Sequence, residues 1–480
     1  MADGVLTRWL VVEPARPRRI ANWSHAPWLA VGTVCFGAFM GQLDASIVTL
    51  AFPAIGAHFH TSLAAVQWVS LSYLLTLVAL LAPVGRLADS FGRKQLYLYG
   101  FALFTLASAA CGLAVNLPML IGCRVVQALG AAMLQANSVA LVTTSVPRER
   151  VRGALGVQAA AQALGLALGP VIGGVLVQGM GWQWVFGVNV PVGVLGLIAG
   201  RYLLPRTRQH TPAGAFDWPG VLLLAISSAA ALLALSALSG LPLRTGQWIA
   251  LIWVAIAAGW GFYRRQRKAG SPLVDLKLLR EPAISGGLLA ALGGYLVLFG
   301  PLVLIPVLGS GSALRAGVLV TALPAGFGLA ATLGGKVLPR TWPHRMRCAL
   351  GAGITLLALL GLAIWPHVIG TPAVLVPGMA LAGVGLGLFT PANNALVMGS
   401  IPAARSGVGG GLVNMARGLG TSLGVALVAA AAHLSAPAHL SRVGFAALAA
   451  VALAVTILAA CTPDHPTGKR LYVVPQPRKG

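Results

Sequence analysis

The sequence predicts an all-α integral membrane protein with fourteen transmembrane helices, arranged as two pseudo-symmetric six-helix bundles plus two inserted helices. Three observations support this fold class. Hydrophobic residues make up 57% of the 480-residue chain and charged residues only 9%, with a mean hydropathy of +0.84, unlike a soluble domain. The apolar residues form runs close to the roughly 20 residues that span a bilayer. The basic residues fall mainly on alternate connectors, as membrane topology requires.

The fourteen apolar segments are separated by short connectors, so no soluble domain is expected between them. We place them at residues 28–55, 65–85, 96–115, 118–146, 153–178, 183–204, 217–239, 246–263, 282–308, 314–338, 346–365, 371–398, 406–433 and 440–461. Segments 1–6 and 9–14 are equivalent units, as in many secondary transporters. The expected divisions are an N-terminal tail (1–27), a first bundle (28–204), a linker with the inserted helices (205–281), a second bundle (282–461) and a C-terminal tail (462–480).

The distribution of lysine and arginine predicts the orientation. Of 33 such residues, 28 lie on the side of the N-terminus, three lie on the opposite side, and Arg124 and Arg417 lie inside segments. Because positively charged connectors stay inside the cell, both termini are expected in the cytoplasm. The net charge of +24 therefore reflects topology and predicts no nucleic-acid partner. The 27 arginines against 6 lysines suggest a GC-rich bacterium, and hence a multi-pass protein of the inner membrane.

One acidic residue lies well inside an apolar segment. Asp44 is in segment 1, whereas the other eight acids fall in tails or at segment ends. Such a residue suggests a proton or ion relay, and the alternative is a buried acid kept neutral by hydrogen bonds. Segment 4 carries a polar stripe at helical spacing, formed by Arg124, Gln127, Ala131, Gln135 and Ser138. At 1.5 Å per residue, Asp44 and Arg124 differ in depth by roughly 6 Å, so we expect them to pair or to compete for one proton.

The connector between segments 2 and 3 reads GRLADSFGRK, from Gly85 to Lys94. It resembles the G-x-L-A-D-x-x-G-R-K signature of the major facilitator superfamily. The glycines permit a tight turn, and Asp89 can accept hydrogen bonds from an arginine or a helix N-terminus and so latch two helix ends. The alternative is that the basic residues only fix topology. The resemblance implies a cytoplasmic gate made of Gly85, Arg86, Asp89, Gly92 and Arg93.

Segment 5 contains the sequence GLALGPVIGG, which resembles the G-x(3)-G-P-x-x-G-G signature of antiporters in that superfamily. The motif residues are Gly165, Gly169, Pro170, Gly173 and Gly174. Glycines four residues apart give a smooth face that another helix can approach, and the proline can bend the helix. Spacing alone also fits ordinary packing of small residues. The proline and the doubled glycine favour the antiporter motif.

Three further stretches resemble the fourteen-helix drug:proton antiporter family. They are LDASIV from Leu43 to Val48 followed by Pro53, WQWVF…NVP from Trp182 to Pro191, and FDWPG from Phe216 to Gly220. The resemblance covers essentially residues 28–461, and antiporters of that family carry an arginine at the place of Arg124. The loop at 334–340, which corresponds to the gate loop, lacks the acid, so a second latch is not expected.

The remaining polar side chains within segments are candidates for a substrate cavity. They are Gln127, Gln135, Gln158, Gln162, Asn393, Asn394, Asn414 and Arg417. Repeat transporters build their site at the interface of the repeats, so we expect it on segments 1, 4, 9 and 12. The alternative for each amide is a helix-packing hydrogen bond, and for Arg417 a bond to helix carbonyls.

These features predict a proton-coupled efflux transporter that exports hydrophobic drugs or antibiotics by alternating access, with Asp44 as the protonation switch. The alternative is a symporter or importer of a small metabolite. Two buried cations against one buried acid favour neutral, zwitterionic or monocationic substrates. The sequence lacks a metal-ligand cluster and a nucleophile–base pair, so we expect no enzyme, no metal site and no cofactor besides the proton gradient. The expected partners are the substrate, protons and the lipid bilayer, and the chain is expected to be a monomer.

Overall fold

The computed structural model is helical, without β-strands in the part of the chain that it describes, which is residues 13, 15–61, 63–207, 217–238, 243–270, 272–308, 313–339, 341–365, 371–402, 405–435 and 439–463. The long helices are α1 (Ala26–Ile47), α2 (Leu63–Phe91), α3 (Arg93–Gly112), α4 (Leu117–Ser145), α5 (Val151–Gly179), α6 (Asn189–Leu203), α7 (Trp218–Leu238), α8 (Thr245–Lys268), α9 (Pro282–Val307), α10 (Ala313–Val337), α11 (His344–Ile364), α12 (Pro372–Gly399), α13 (Ser406–Leu434) and α14 (Leu440–Cys461). Thirteen stretches of the described residues are long and apolar enough to cross a membrane, and the 25-residue α10 takes the remaining place. The predicted membrane fold is confirmed.

The first apolar segment is not one continuous helix. α1 ends at Ile47 and is followed by a 3-10 turn, Val48–Ala51, and a short helix, Phe52–His58. Pro53 lies in the first turn of that short helix. A proline there needs no helical N–H partner, whereas in the interior of a longer helix it would remove a hydrogen bond. The single long helix expected from the sequence is therefore wrong, and Asp44 lies about one turn from the end of α1.

The two bundles repeat the same packing. In the first bundle α1 packs against α5 and α6, and α4 packs against α2 and α3. In the second bundle α9 packs against α13 and α14, and α12 packs against α10 and α11. The two largest clusters of buried apolar residues are centred on different bundles, one containing Phe101 and Phe104 and the other Phe327 and Phe445, and each also includes a few residues of the other bundle. The bundles meet along α2 with α13 and along α5 with α10, two contacts that are also equivalent under the repeat.

The inserted helices α7 and α8 form a hairpin beside this interface. α7 packs against α2 and α13, which belong to different bundles, and α8 packs against α7. Asp217 closes the base of the hairpin, because its carboxylate accepts hydrogen bonds from Gly220 N (3.1 Å), Arg265 Nε (2.5 Å) and Gln266 Nε2 (2.8 Å). Burial alone raises the pKa of Asp217, but these hydrogen bonds outweigh burial and hold the pKa below its ordinary value.

Candidate functional site

Asp44 and Arg124 form an ion pair inside the first bundle. Nη1 of Arg124 donates a hydrogen bond to Oδ2 of Asp44 at 2.7 Å, and the two side chains are 1% and 0% exposed. The pair forms because α1 packs directly against α4. The pairing expected from their depths is thus present. A buried pair with good hydrogen bonds avoids an isolated charge in a low-dielectric interior.

Two amides complete the surroundings of the Asp44 carboxylate. Its Oδ1 accepts hydrogen bonds from Nε2 of Gln127 and from Nδ2 of Asn189, each at 3.0 Å. An ionised carboxylate only accepts hydrogen bonds, so three donors suit the charged form. Asn189 was not among the candidates named from the sequence. The available signal was its position at the start of an apolar helix, within the WQWVF…NVP stretch.

The guanidinium of Arg124 is held by residues of the first bundle. Nε donates to the carbonyl oxygen of Val69 at 3.1 Å, and Nη1 also donates to Oε1 of Gln127 at 2.6 Å. Its Cζ lies 4.1 Å from the centroid of the Tyr73 ring, a cation–π contact. These contacts, together with those of Asp44, come from one bundle. The bonds to the pair seen among the described residues therefore come from α2, α4 and α6 and not from α9 or α12, where part of the substrate site was expected.

Asp89 connects the ends of α2 and α13. Its Oδ1 accepts a hydrogen bond from Gly407 N at 2.9 Å, and its Oδ2 accepts one from Val408 N at 3.0 Å. Arg93 donates to the same Oδ1 from Nε (3.1 Å) and from Nη2 (2.8 Å). Because α13 begins at Ser406, the carboxylate lies at the positive end of that helix dipole. One side chain of the first bundle therefore caps a helix of the second.

Two glycines of the stretch from Gly85 to Lys94 fit this close contact. A Cβ added to Gly85 would overlap the carbonyl oxygen of Gly407, so α2 and α13 approach each other closely here because neither residue has a side chain. Gly92 has φ of +104°, in the left-handed region that favours glycine, and leads directly into α3. A Cβ at Gly92 would overlap the carboxylate of Glu13, so the N-terminal tail packs against the gate loop. Arg86, which follows Gly85 in the same stretch, is half-buried.

Two glycines of the α5 motif face α1. A Cβ added to Gly165 would overlap the carbonyl oxygen of Phe39, and one added to Gly169 would overlap the side chain of Ser46. Oγ of Ser46 donates to the carbonyl oxygen of Gly165 at 3.4 Å. The motif therefore lets α5 approach α1 a few residues from Asp44.

The rest of the α5 motif has a different environment. α5 continues without interruption from Val151 to Gly179 and so passes through Pro170, whose side chain lies outside the described residues. Gly173 is buried, whereas a Cβ added to Gly174 would meet no described atom within 4 Å. The close helix contact thus involves the first part of the motif.

Four of the predicted cavity residues, with Tyr295, form a chain of contacts between the bundles. Tyr295 Oη donates to Oε1 of Gln162 at 3.4 Å, and Cζ of Arg417 lies 5.0 Å from the centroid of the Tyr295 ring. Nη1 of Arg417 donates to Oδ1 of Asn414 at 3.1 Å, and Nδ2 of Asn414 donates to the carbonyl oxygen of Gln135 at 2.7 Å. We call these five residues the interface layer, because α4 and α5 belong to the first bundle and α9 and α13 to the second.

Three other predicted cavity residues are buried but lie outside the interface layer. Nδ2 of Asn393 donates to the carbonyl oxygen of Gly287 at 2.9 Å. This is a hydrogen bond between packed helices, the alternative to a role in the cavity. Gln158 and Asn394 are buried, and Nε2 of the first and Oδ1 of the second have no hydrogen-bond partner among the described residues. No group of histidine, cysteine, aspartate and glutamate able to hold a metal ion occurs within the described ranges.

Comparison with known proteins decides the family. A family model described as Major Facilitator Superfamily matches residues 34–425, which is well over half of the chain. The chain belongs to the major facilitator superfamily. It is therefore a membrane transporter and not an enzyme, as the motifs predicted.

Relatives of this superfamily member include exporters and one vitamin transporter. The tetracenomycin C resistance and export protein of Streptomyces glaucescens is 32% identical over 415 residues, covering 84% of this chain and 75% of the relative. The drug efflux pump JefA of Mycobacterium tuberculosis is 33% identical over 409 residues, with 83% and 79% covered. The riboflavin transporter RibZ of Clostridioides difficile is 30% identical over 404 residues, with 83% and 87% covered.

A solved structure supports the same fold. The human organic anion transporter MFSD10 superposes with a TM-score of 0.65 at 16% identity, covering 90% of this chain and 99% of that chain. At this identity the similarity shows the fold alone.

Proposed function

We propose that this transporter is a proton-coupled antiporter that exports hydrophobic drugs or antibiotics by alternating access, with Asp44 as the protonation switch. The observation that carries the proposal is a carboxylate enclosed in a membrane helix and bonded to Arg124. Ionisable residues inside membrane segments mark proton and ion paths. The relatives named as a drug efflux pump and as a tetracenomycin C export protein support the direction of transport.

Protonation would change the balance between Asp44 and its donors. A neutral carboxyl group loses the charge-assisted part of its bond to Arg124, which keeps its bonds to Val69 and Gln127. The two protonation states then prefer different arrangements of α1 and α4, and such a difference is what can shift a conformational equilibrium. We propose that Asp44 takes a proton from outside and releases it inside as substrate or Arg124 approaches.

The gate and the orientation complete the proposal. Asp89, with Arg93 and the loop glycines, holds the ends of α2 and α13 together in one state and releases them in the other. We assign this end to the cytoplasm of a bacterial cell, with both termini on the same side and a single chain as the working unit. A membrane potential contributes about 2.3 kcal/mol per proton charge for each 100 mV, which drives export.

A symporter or importer of a small metabolite is the second candidate. The relative named as a riboflavin transporter, at 30% identity, is the observation in its favour. The two candidates differ in the direction in which a proton gradient moves the substrate.

Transport into inverted membrane vesicles distinguishes the candidates. A resistance and uptake profile of cells that overproduce the protein, including tetracenomycin C and riboflavin, first selects a transported compound. Vesicles are then made acidic inside and supplied with that compound. An antiporter accumulates the compound as protons leave, and collapse of the gradient abolishes accumulation. Gradient-driven loss of preloaded compound would instead indicate a symporter and contradict the proposal.

A further inference from the structure

Arg417 is a buried cation without a carboxylate partner in the described structure. Within the described ranges its side chain makes one hydrogen bond, to Asn414, and contacts the face of the Tyr295 ring. Nε has no hydrogen-bond partner among the described residues, although the residue is only 4% exposed. The positive charge of Arg124, in contrast, is balanced by the carboxylate of Asp44. The uncompensated positive charge of this region therefore lies on α13.

The position of Arg417 suits contact with a transported molecule. It is the twelfth residue of the 29-residue α13, so it lies roughly 17 Å along the helix, near the middle of a hydrocarbon core about 30 Å thick. Its neighbours in the interface layer come from both bundles. Alternating access exposes the region where the bundles meet, first to one side and then to the other.

We propose that Arg417 binds an acidic group of the substrate, so that the preferred substrates are aromatic or aliphatic amphiphiles with one carboxylate, either anionic or zwitterionic. A guanidinium presents a planar fork of donors that matches a carboxylate. The Tyr295 ring contacts the same cation and its Oη bonds Gln162, so the phenol and this amide can bind the remaining polar atoms of the substrate. This inference rests on the proposed transport function and narrows its substrate class, since Asp44 has no free charge to offer a cationic drug.

Binding of three dansyl probes to the full-length protein in lipid nanodiscs tests the proposal. Dansyl-phenylalanine carries a carboxylate, its methyl ester is neutral, and dansylcadaverine is cationic. Their fluorescence rises when the dansyl group enters an apolar site. We expect the acid to bind at least tenfold more tightly than the ester or the cation. Arg417→Gln should remove this preference, Arg417→Lys should keep part of it, and Arg442→Gln, which removes an exposed charge at the start of α14, should keep all of it.

The proposal is overturned if the acid shows no saturable binding, if acid and ester bind within twofold of each other, or if Arg417→Gln keeps the preference. If Arg417→Gln does not fold, the proposal is still tested by comparing acid and ester binding in the wild type and in Arg417→Lys. The antiporter proposal and the role of Arg417 can fail separately. A preference for the acid without proton-coupled transport contradicts only the antiporter proposal. Proton-coupled antiport with equal binding of acid and ester contradicts only the role of Arg417.

Discussion

Arg124 donates a 2.7 Å hydrogen bond to Asp44, and the amides of Gln127 and Asn189 bond the other carboxylate oxygen. Among the described residues the carboxylate thus has three side-chain donors, although it lies in a segment of almost wholly apolar sequence. Both charges are removed from water, so the pair depends on these hydrogen bonds, and removal of one partner leaves a buried charge uncompensated.

Removing the cation alone should destabilise the protein. Arg124→Gln leaves a buried, uncompensated carboxylate, and breaking buried pairs in this way costs roughly 3–5 kcal/mol. The double variant Asp44→Asn with Arg124→Gln removes both charges and should recover most of that loss. Thermal unfolding of the purified proteins in detergent measures the difference. Equal stability of the single and double variants would contradict the pairing.

Removing the Asp89 carboxylate should separate the ends of α2 and α13. Asp89→Ala loses hydrogen bonds to Gly407 N and Val408 N, and bonds to charged groups contribute about 1.5–3 kcal/mol each. Spin labels at positions 90 and 399, in a variant without native cysteines, report the distance between the two bundles at this end. We expect the population with the longer distance to increase.

The control for the gate is Glu149→Ala, which removes an exposed carboxylate from the connector between α4 and α5. Its distance distribution should match the wild type. An unchanged distribution for Asp89→Ala would rule out a latch at this position.

The α5 motif predicts opposite effects for two of its glycines. Gly165→Ala places a methyl group against the backbone carbonyl of Phe39, which cannot move without shifting α1, so yield and thermal stability should fall. Gly174→Ala meets open space and replaces glycine within a helix, so stability should stay the same or rise by up to about 1 kcal/mol. Thermal unfolding of both variants measures this, and equal effects would contradict the observed packing.

The hairpin of inserted helices should lose stability in acid through Asp217. A carboxyl group whose pKa is lower in the folded state contributes stability that is present above its unfolded pKa of about 3.9 and lost as pH falls through the folded value. Asp217→Asn should therefore unfold at a lower temperature than wild type near pH 7, with a smaller loss on acidification to pH 3. Glu149→Gln is the control. Parallel wild-type and Asp217→Asn curves would contradict this role.

The fold could be predicted from the sequence because bilayer thickness and connector charge constrain it strongly. Run length and the positions of lysine and arginine gave fourteen segments close to those observed. Pro53 could have indicated the break after α1, but the apolar run that surrounds it hid the end of the helix. Local breaks of this kind depend on how a proline fits the surrounding backbone.

The site could be predicted only in part. The approximate depths of Asp44 and Arg124 were sufficient to pair them, since helix rise is fixed. The sequence does not fix the rotation of α4, so it could not show that the bonding partners of the pair come from α2, α4 and α6 of the first bundle. Asn189 and Tyr295 come from helices whose neighbours depend on tertiary packing, and their polar atoms gave no periodic pattern.

Proton release during transport by purified protein in proteoliposomes tests the central claim most directly. Wild type and Asp44→Glu, which keeps a carboxyl group, should accumulate substrate against its gradient when a pH gradient is imposed, with protons moving the opposite way. Asp44→Asn should still bind substrate and carry it downhill, but without accumulation or proton movement. Accumulation and proton movement at wild-type levels in Asp44→Asn would contradict the account.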